Sequence, residues 1–123
     1  MKPIKGARNL RKGRFSEQGQ VYHCIFSTLH NEKIFRDFEL ARLMINIIKN
    51  DELNGFTTTY AFTIMPDHIH WLFEVSDGNL SLAIKRVKSL FSWISKKKIW
   101  NSGFYDHAIR ADEDLISTAR YIV

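Results

Sequence analysis

The sequence predicts an α+β fold, a ferredoxin-like antiparallel sheet built in the order β-α-β-β-α-β, with an added C-terminal helix. Three observations predict this class. Four short segments are rich in β-branched and aromatic residues, two longer segments repeat apolar residues at helical spacing, and a third helical segment follows the fourth strand. In a split β-α-β arrangement of this kind, we expect the helices to lie on one face of the sheet.

The first half of the chain predicts a strand, a helix and a second strand. Residues 20–28 are β-branched and aromatic, which is typical of a buried strand. Asp37 can cap a helix that continues to about Lys49, and Gly55 breaks the chain after it. The apolar side of this helix contains Phe38, Ala41, Leu43, Met44, Ile47 and Ile48. Residues 57–64, rich in Thr, Tyr and Phe, predict the second strand.

The second half predicts two more strands and two more helices. Pro66 marks a tight connection, and residues 68–75 predict the third strand. Apolar residues at helical spacing predict a long helix over about 81–97, and residues 104–110 predict a short fourth strand. Three acidic residues from Asp112 open the last helix, where the helix dipole favours negative charge.

Size and composition indicate a single disulfide-free domain. The chain has 123 residues, of which 45% are apolar, enough for a substantial core. Its single cysteine, Cys24, excludes an internal disulfide framework and any site that needs several thiolates. The sequence shows neither a signal peptide nor a segment long enough to cross a bilayer. We therefore expect a cytoplasmic protein with no membrane partner.

The net charge of +5 conceals two basic zones on an acidic body. Residues 1–14 carry six basic residues and no acidic one, and so do residues 78–105. Such zones favour a polyanionic partner, with nucleic acid as the leading candidate; the alternative is a basic tail and a solvated helix face. We predict a basic N-terminal arm over residues 1–19 and a single domain over 20–123. The predicted DNA contacts are Arg8, Arg11, Lys12, Arg14, Lys85, Lys88 and Lys96.

The third predicted strand carries a pair of histidines that could bind a metal ion. Alternate side chains of a strand share a face, so His68 and His70 point the same way, opposite to Ile69 and Trp71. Two neutral imidazoles one strand period apart are a natural pair of ligands for a transition metal such as zinc or manganese. The alternative is two histidines on a half-exposed sheet face, satisfied by water.

Tyr121 is a second candidate for chemistry. If the last helix starts at Asp112, its apolar stripe contains Leu115, Ile116, Ala119, Ile122 and Val123. Tyr121 then lies about 160° from the centre of that stripe, on the polar side of the helix. The alternative is an ordinary exposed tyrosine on a terminal helix. His23, in a buried-looking strand, is interpreted as a satisfied core histidine.

Several blocks in order along the chain carry a family resemblance. They are residues 13–23 (GRFSEQGQVYH), 65–72 (MPDHIHWL), 103–110 (GFYDHAIR), 112–115 (DEDL) and 119–122 (ARYI). Together they resemble the single-tyrosine transposases of the HUH endonuclease superfamily, and among these the REP-associated tyrosine transposases. The middle block is the most specific, and the resemblance runs from about residue 13 to the last residue.

The resemblance implies a strand transferase that acts on single-stranded DNA beside a hairpin. It implies that His68 and His70 bind a divalent metal, Mg²⁺ or Mn²⁺, and that Tyr121 attacks the scissile phosphate to form a 5′-phosphotyrosine bond. Members of the family usually continue past this tyrosine with an Asn-Pro segment, whose asparagine would be the third ligand, two residues beyond Val123. We therefore expect a domain cut short at its C-terminus. We also expect it to act as a monomer or homodimer.

Two other functions stay open from the sequence. One is a non-catalytic protein that binds hairpin DNA but has lost cleavage together with its C-terminal end. The other is an RNA-binding ferredoxin-like module, which would leave His68 and His70 unexplained and which lacks the glycine-aromatic motif of such modules.

Overall fold

The computed structural model describes residues 19–109 and 112–122. Its strands are β1 (Val21–Ser27), β2 (Thr57–Ile64), β3 (His68–Val75) and β4 (Tyr105–Ile109). Its helices are α1 (Phe38–Leu53), α2 (Leu80–Ser95) and α3 (Asp112–Ile122), and two short 3₁₀ turns, Leu29–Asn31 and Ile34–Arg36, join β1 to α1. Within the described ranges, no helix has the length and apolar character needed to cross a membrane.

The four strands form one antiparallel sheet in the order β2-β3-β1-β4. The two central strands are β3 and β1, and β1 pairs with β3 along its whole length, from Val21 opposite Glu74 to Ser27 opposite His68. This strand order and the β-α-β-β-α-β sequence of elements confirm the predicted ferredoxin-like fold with its added C-terminal helix.

Helix α1 begins where the sequence predicts and ends later. The Asp37 side chain accepts hydrogen bonds from the backbone N–H of Glu39 (2.9 Å) and Leu40 (3.3 Å), so it caps the helix as expected. The helix continues to Leu53 because Asp51, in its last turn, is buried and bonded. Its carboxylate accepts from Thr57 Oγ1 at 2.7 Å and from the guanidinium of Arg86 on α2 at 3.0 Å.

Helices α1 and α2 cover one side of the sheet, here called the helix face. The β3 side chains on this side, Ile69, Trp71, Phe73 and Val75, are fully buried, as predicted. The rings of Trp71 and Phe73 stack with centroids 3.7 Å apart, and the Trp71 indole N–H donates to Thr59 Oγ1 at 2.9 Å. This packing fixes β3 in register and orientation.

Helix α3 packs on the opposite side of the sheet, so the expectation that the helices share one face is wrong for this helix. Ile122 is buried against Leu72 of β3 and Ile109 of β4, and the Thr63 hydroxyl of β2 donates to the Ile122 carbonyl. The physical reason lies in β3 itself. Leu72 is an apolar side chain on the histidine side of the strand, and it is fully buried only because α3 covers it.

Replacing Leu72 by alanine tests this second apolar layer. Leu72→Ala should lower the free energy of unfolding by about 2–5 kcal/mol, because it leaves a cavity between the sheet and α3. Leu53→Ala, at an 83% exposed leucine at the end of α1, is the matched control and should change it by less than about 0.5 kcal/mol. Urea unfolding measures both, and equal midpoints for the two variants would contradict the placement of α3.

Candidate functional site

The side of the sheet under α3 carries four of the chain's five histidines and is here called the histidine face. His68 and His70 lie on β3, as predicted, and His23 on β1 and His107 on β4 share their side of the sheet. His23 is directly opposite His107 in the β1–β4 pair. Side chains opposite each other in an antiparallel pair are close neighbours, so these imidazoles form one patch.

The first histidine, His68, is oriented by the residue before it. Its Nδ1 lies 2.8 Å from Asp67 Oδ1, and this hydrogen bond is the main cause that lowers the pKa of Asp67. The ammonium of Lys33 lies 3.9 Å from the other carboxylate oxygen and acts in the same direction. Asp67 is therefore an ionised acceptor for the Nδ1–H group, which leaves Nε2 as the remaining ring nitrogen of His68.

The connection that carries Asp67 is itself held by Thr28, the residue that follows β1, and by Phe35. The Asp67 carbonyl accepts from the backbone N–H of Thr28 at 3.0 Å and from its hydroxyl at 3.2 Å. Thr28 is fully buried, and its hydroxyl also bonds the Glu32 carbonyl at 2.7 Å. The Pro66 carbonyl accepts from the N–H of Phe35 at 2.9 Å. Hydrogen bonds to two backbone carbonyls thus hold the turn before β3, and they fix the position at which β3 and its histidines begin.

The second histidine, His70, is bonded to His23. Nδ1 of His70 lies 3.0 Å from Nε2 of His23, and the two rings stack with centroids 5.2 Å apart. Burial lowers the pKa of both imidazoles; the charge of His70 and then of His107 lowers that of His23 further, and the charge of His68 lowers that of His70. Both rings therefore favour the neutral form, which is the form that binds metals.

The interpretation of His23 as a core histidine is wrong. It is half-buried on the histidine face and bonded to His70, whereas its neighbours Tyr22 and Cys24 point into the core of the helix face. The signal was present in the alternation of β1, because buried Tyr22, Cys24 and Phe26 leave His23 on the other side.

The histidine pair fits a metal ion in its donor chemistry. The ring centroids of His68 and His70 lie 5.0 Å apart. In each ring Nδ1 is hydrogen-bonded, to Asp67 in His68 and to His23 in His70, so Nε2 is the ring nitrogen that could bind a metal ion. Outer hydrogen bonds of this kind are the usual partners of metal-binding histidines. In the part of the chain that the structure describes, no third histidine, cysteine or carboxylate completes a cluster with them.

Tyr121 lies beside this pair. Its ring centroid is 6.2 Å from that of His70, edge to face, and the side chain is 77% exposed. The residues that anchor α3 are Leu115, Ala119 and Ile122. Ile116 is 55% exposed and does not belong to the buried stripe, contrary to the prediction. Val123, also predicted in this stripe, lies outside the described residues. The centre of Leu115, Ala119 and Ile122 lies about 130° from Tyr121 around the helix, and the phenol ring faces His70 edge to face.

The predicted DNA-contacting residues fall into three groups. Arg8, Arg11, Lys12 and Arg14 lie outside the described residues. Lys85 and Lys96 are exposed on or next to α2, which packs on the helix face, across the sheet from the histidines. Lys88 is half-buried, and its ammonium donates to the carbonyls of Asn101 (2.9 Å) and Gly103 (2.6 Å). The geometry gives Lys88 a structural role, the fastening of the segment before β4.

Comparison with known proteins places this geometry in a family. Residues 16–123 match the family described as IS200-like transposases. A Haemophilus influenzae protein assigned as a REP-associated tyrosine transposase is 32% identical over 81 residues, which cover 52% of this chain and 46% of that protein. The chain therefore spans about half the length of this curated relative.

Two solved structures share the fold. A REP-associated tyrosine transposase bound to a REP hairpin superposes with a TM-score of 0.76 at 20% identity, over 89% of this chain and 67% of the other. A Deinococcus radiodurans protein assigned as a transposase superposes with a TM-score of 0.61 at 18% identity, over 99% and 95% of the two chains. The resemblance seen in the sequence blocks is confirmed, and the match over residues 16–123 shows that this chain belongs to the family of IS200-like transposases.

Proposed function

We propose that this protein is a metal-dependent transposase that cuts and rejoins single-stranded DNA at hairpins through a 5′-phosphotyrosine intermediate. The observation that carries the proposal is the contact between Tyr121 and His70, which brings a phenol from α3 to a histidine pair from β3. The relative whose structure includes a REP hairpin supports hairpin DNA as the substrate class.

In the proposed reaction, Tyr121 is the nucleophile. Its hydroxyl oxygen attacks the scissile phosphorus, the bond from phosphorus to the 3′ oxygen breaks, and a 5′-phosphotyrosine bond replaces it. The phenol loses one proton and the leaving 3′ oxygen gains one. One phosphodiester replaces another, so the strand can be rejoined by the reverse attack of a 3′-hydroxyl.

A phenol of pKa about 10 is mostly neutral at pH 7 and needs help to react. A bound Mg²⁺ or Mn²⁺ would supply this help by polarising the phosphate and stabilising the charge that develops on it. The exposed position of Tyr121 leaves room for a DNA strand to approach its hydroxyl.

His68 and His70 are the proposed metal ligands, each through Nε2. For His70 this requires a particular tautomer. Its Nδ1–H must donate to Nε2 of His23, because the reverse arrangement would place the ring proton on the Nε2 that is needed for the metal. Asp67 fixes the corresponding tautomer of His68. His23 and Asp67 are therefore proposed as positioning residues for the two ligands.

The two basic zones are proposed to hold the DNA backbone. The arm, with Arg8, Arg11, Lys12 and Arg14, and the exposed lysines Lys85 and Lys96 would neutralise phosphates and release counterions. Lys88 is not included among the proposed DNA-binding residues, because its ammonium already donates hydrogen bonds to two carbonyls.

A non-catalytic hairpin-binding protein is the second candidate function. It is favoured by one observation: in the described part of the chain, His68 and His70 stand without a third ligand of the His, Cys, Asp or Glu type. Covalent attachment to DNA separates this candidate from the first.

The nucleophile is tested by Tyr121→Phe, in the longest form of the protein that its gene encodes. This change removes one hydroxyl from an exposed side chain, so the free energy of unfolding should change by less than about 0.5 kcal/mol and hairpin binding should persist. The adduct with a labelled hairpin oligonucleotide in Mn²⁺, detected on a denaturing gel, should disappear. Tyr105→Phe is the control and should still form it. An adduct in Tyr121→Phe would exclude this nucleophile, and none in the unmodified protein would favour the non-catalytic candidate.

The outer hydrogen bond is tested by His23→Phe, which keeps an aromatic ring but removes the acceptor for His70. We expect the affinity for Mn²⁺, measured by titration calorimetry, to fall about 10- to 100-fold. His107→Phe, on the same face but without a hydrogen bond to His70, is the matched control and should leave the affinity unchanged. Equal losses in the two variants would contradict a specific role for His23.

The lysines of α2 are tested as a pair. Lys85→Met should weaken hairpin binding and reduce the slope of log affinity against log salt by about 0.7–0.9, as expected for one lost phosphate contact. Lys88→Met should instead lower the free energy of unfolding by about 1–3 kcal/mol, because two carbonyls lose a charged donor. Fluorescence anisotropy at several salt concentrations and urea unfolding measure these effects. A stability loss confined to Lys85→Met would reverse the assignment.

A further inference from the structure

A cavity of about 540 Å³ opens at the β4 edge of the sheet, beside the histidine face. It lies between the end of β1 and the segment that leads into β4. The residues that line it include Ile25, Phe26, Ser27, Asn101, Ser102 and Tyr105. The proposed reaction leaves this cavity without a role.

The cavity arises because the chain leaves the sheet edge and returns to it. Trp100 forms an isolated antiparallel β-bridge with Thr28, and the N–H of Asn101 donates to the Ser27 carbonyl at 3.0 Å. Pairing with β1 resumes only at Tyr105, opposite Ile25. In between, Gly103 turns the chain outward with a positive φ of 74°, a conformation that suits glycine. The chain therefore leaves a gap opposite residue 26.

The walls of the cavity are held in place. Lys88 bonds the carbonyls of Asn101 and Gly103 from the α2 side. The Asn101 amide N–H₂ group donates to Ser27 Oγ at 3.0 Å and to the Thr28 carbonyl at 2.9 Å, which leaves its Oδ1 as an acceptor. A cavity with fixed walls suits the binding of a ligand of defined shape.

The cavity is close to the proposed reaction centre. Ile25 of β1 pairs with His70 on one side and with Tyr105 on the other, so all three lie in one row on the histidine face. Neighbouring strands are about 4.8 Å apart, which places the Tyr105 backbone about 10 Å from that of His70. A strand of DNA bound at Tyr121 needs only one or two nucleotides to reach the cavity.

The chemistry of the lining fits a nucleobase. Among the described residues, none that lines the cavity is charged, which disfavours a phosphate there. Tyr105 offers a 62% exposed aromatic ring, and serine and asparagine side chains offer hydrogen-bonding groups. Aromatic rings that stack on bases are the common device of single-strand binding. On the other side of the same segment, Lys85 borders a second cavity with Gly103 and Phe104, where a following phosphate would find a cation.

We propose that this cavity binds one unpaired nucleobase of the single-stranded segment beside the hairpin, with Tyr105 stacked on the base. The proposal rests on the proposed function, since it deepens the account of the same DNA substrate. It assigns to the β4 edge the recognition of the strand next to the cleavage point, apart from the chemistry at Tyr121.

The test compares two probes, a hairpin with a short single-stranded flank and the same hairpin with no flank. Tyr105→Ala should weaken binding of the flanked hairpin about tenfold, which is the size of one lost stacking contact, and should leave binding of the unflanked hairpin unchanged. Tyr60→Ala is the matched control, because Tyr60 is a 46% exposed tyrosine on β2, at the opposite edge of the sheet. It should affect neither probe.

A second variant and a spectroscopic probe complete the test. Ser102→Trp should fill the cavity and remove the preference for the flanked hairpin. 2-Aminopurine placed at each flanking position in turn should show a fluorescence change at one position, and that change should be absent in Tyr105→Ala. Equal binding of the two probes by the unmodified protein, or an unchanged preference in both variants, would overturn the subsite alone. Failure to bind any hairpin would overturn the proposed function instead.

Discussion

The structure depends on the burial of β3 on both of its faces. Its odd-numbered side chains from Ile69 to Val75 pack under α1 and α2, while Leu72 on the other side is covered by α3. Since alternation in a strand is strict, this double burial leaves no freedom in the direction of His68 and His70. It also fixes where α3 must lie, and with it Tyr121. Packing of apolar groups thus determines the relative position of the polar groups.

The polar groups around the histidines add a second level of order. The carbonyl of Asp67 accepts from Thr28, and its carboxylate bonds the ring of His68, so this one residue links the chain just after β1 to the imidazole. His23 does the same for His70 from the neighbouring strand. Both imidazoles are therefore oriented before any ligand arrives, which reduces the cost of reorganisation on binding.

Local patterns of the sequence were enough to predict the elements of the fold but not all of their partners. The bounds of β2 and β3 agree with the prediction because strand-forming composition and the turn residues beside it are local properties of the sequence. The longer α1 was missed because Asp51 is stabilised by Arg86, 35 residues away. The periodicity of α3 indicated an apolar stripe but not the side of the sheet that receives it.

The sequence singled out three residues of the candidate site, but it predicted their surroundings incompletely. The spacing of His68 and His70 and the off-stripe position of Tyr121 made these residues candidates, and the structure adds their proximity. His23 was missed because its neighbours in β1 suggested a core strand, although their own alternation places it outside the core. A count of charges could not show that the ammonium of Lys88 is used by two carbonyls, because those carbonyls lie in a segment 13 and 15 residues away.

The position of Cys24 has a consequence for the proposed metal site. The thiol lies next to His23 in the chain but on the opposite face of the sheet, where burial, and then the charge of Asp106, raises its pKa. A protonated, enclosed thiol is neither a soft metal ligand nor an easy target for oxidants. A cation bound at the histidine face, as proposed, would therefore meet imidazole nitrogens without competition from the chain's single sulfhydryl group. One step in the alternation of β1 would thus keep a thiophilic ion such as Cu⁺ from gaining a thiolate ligand there.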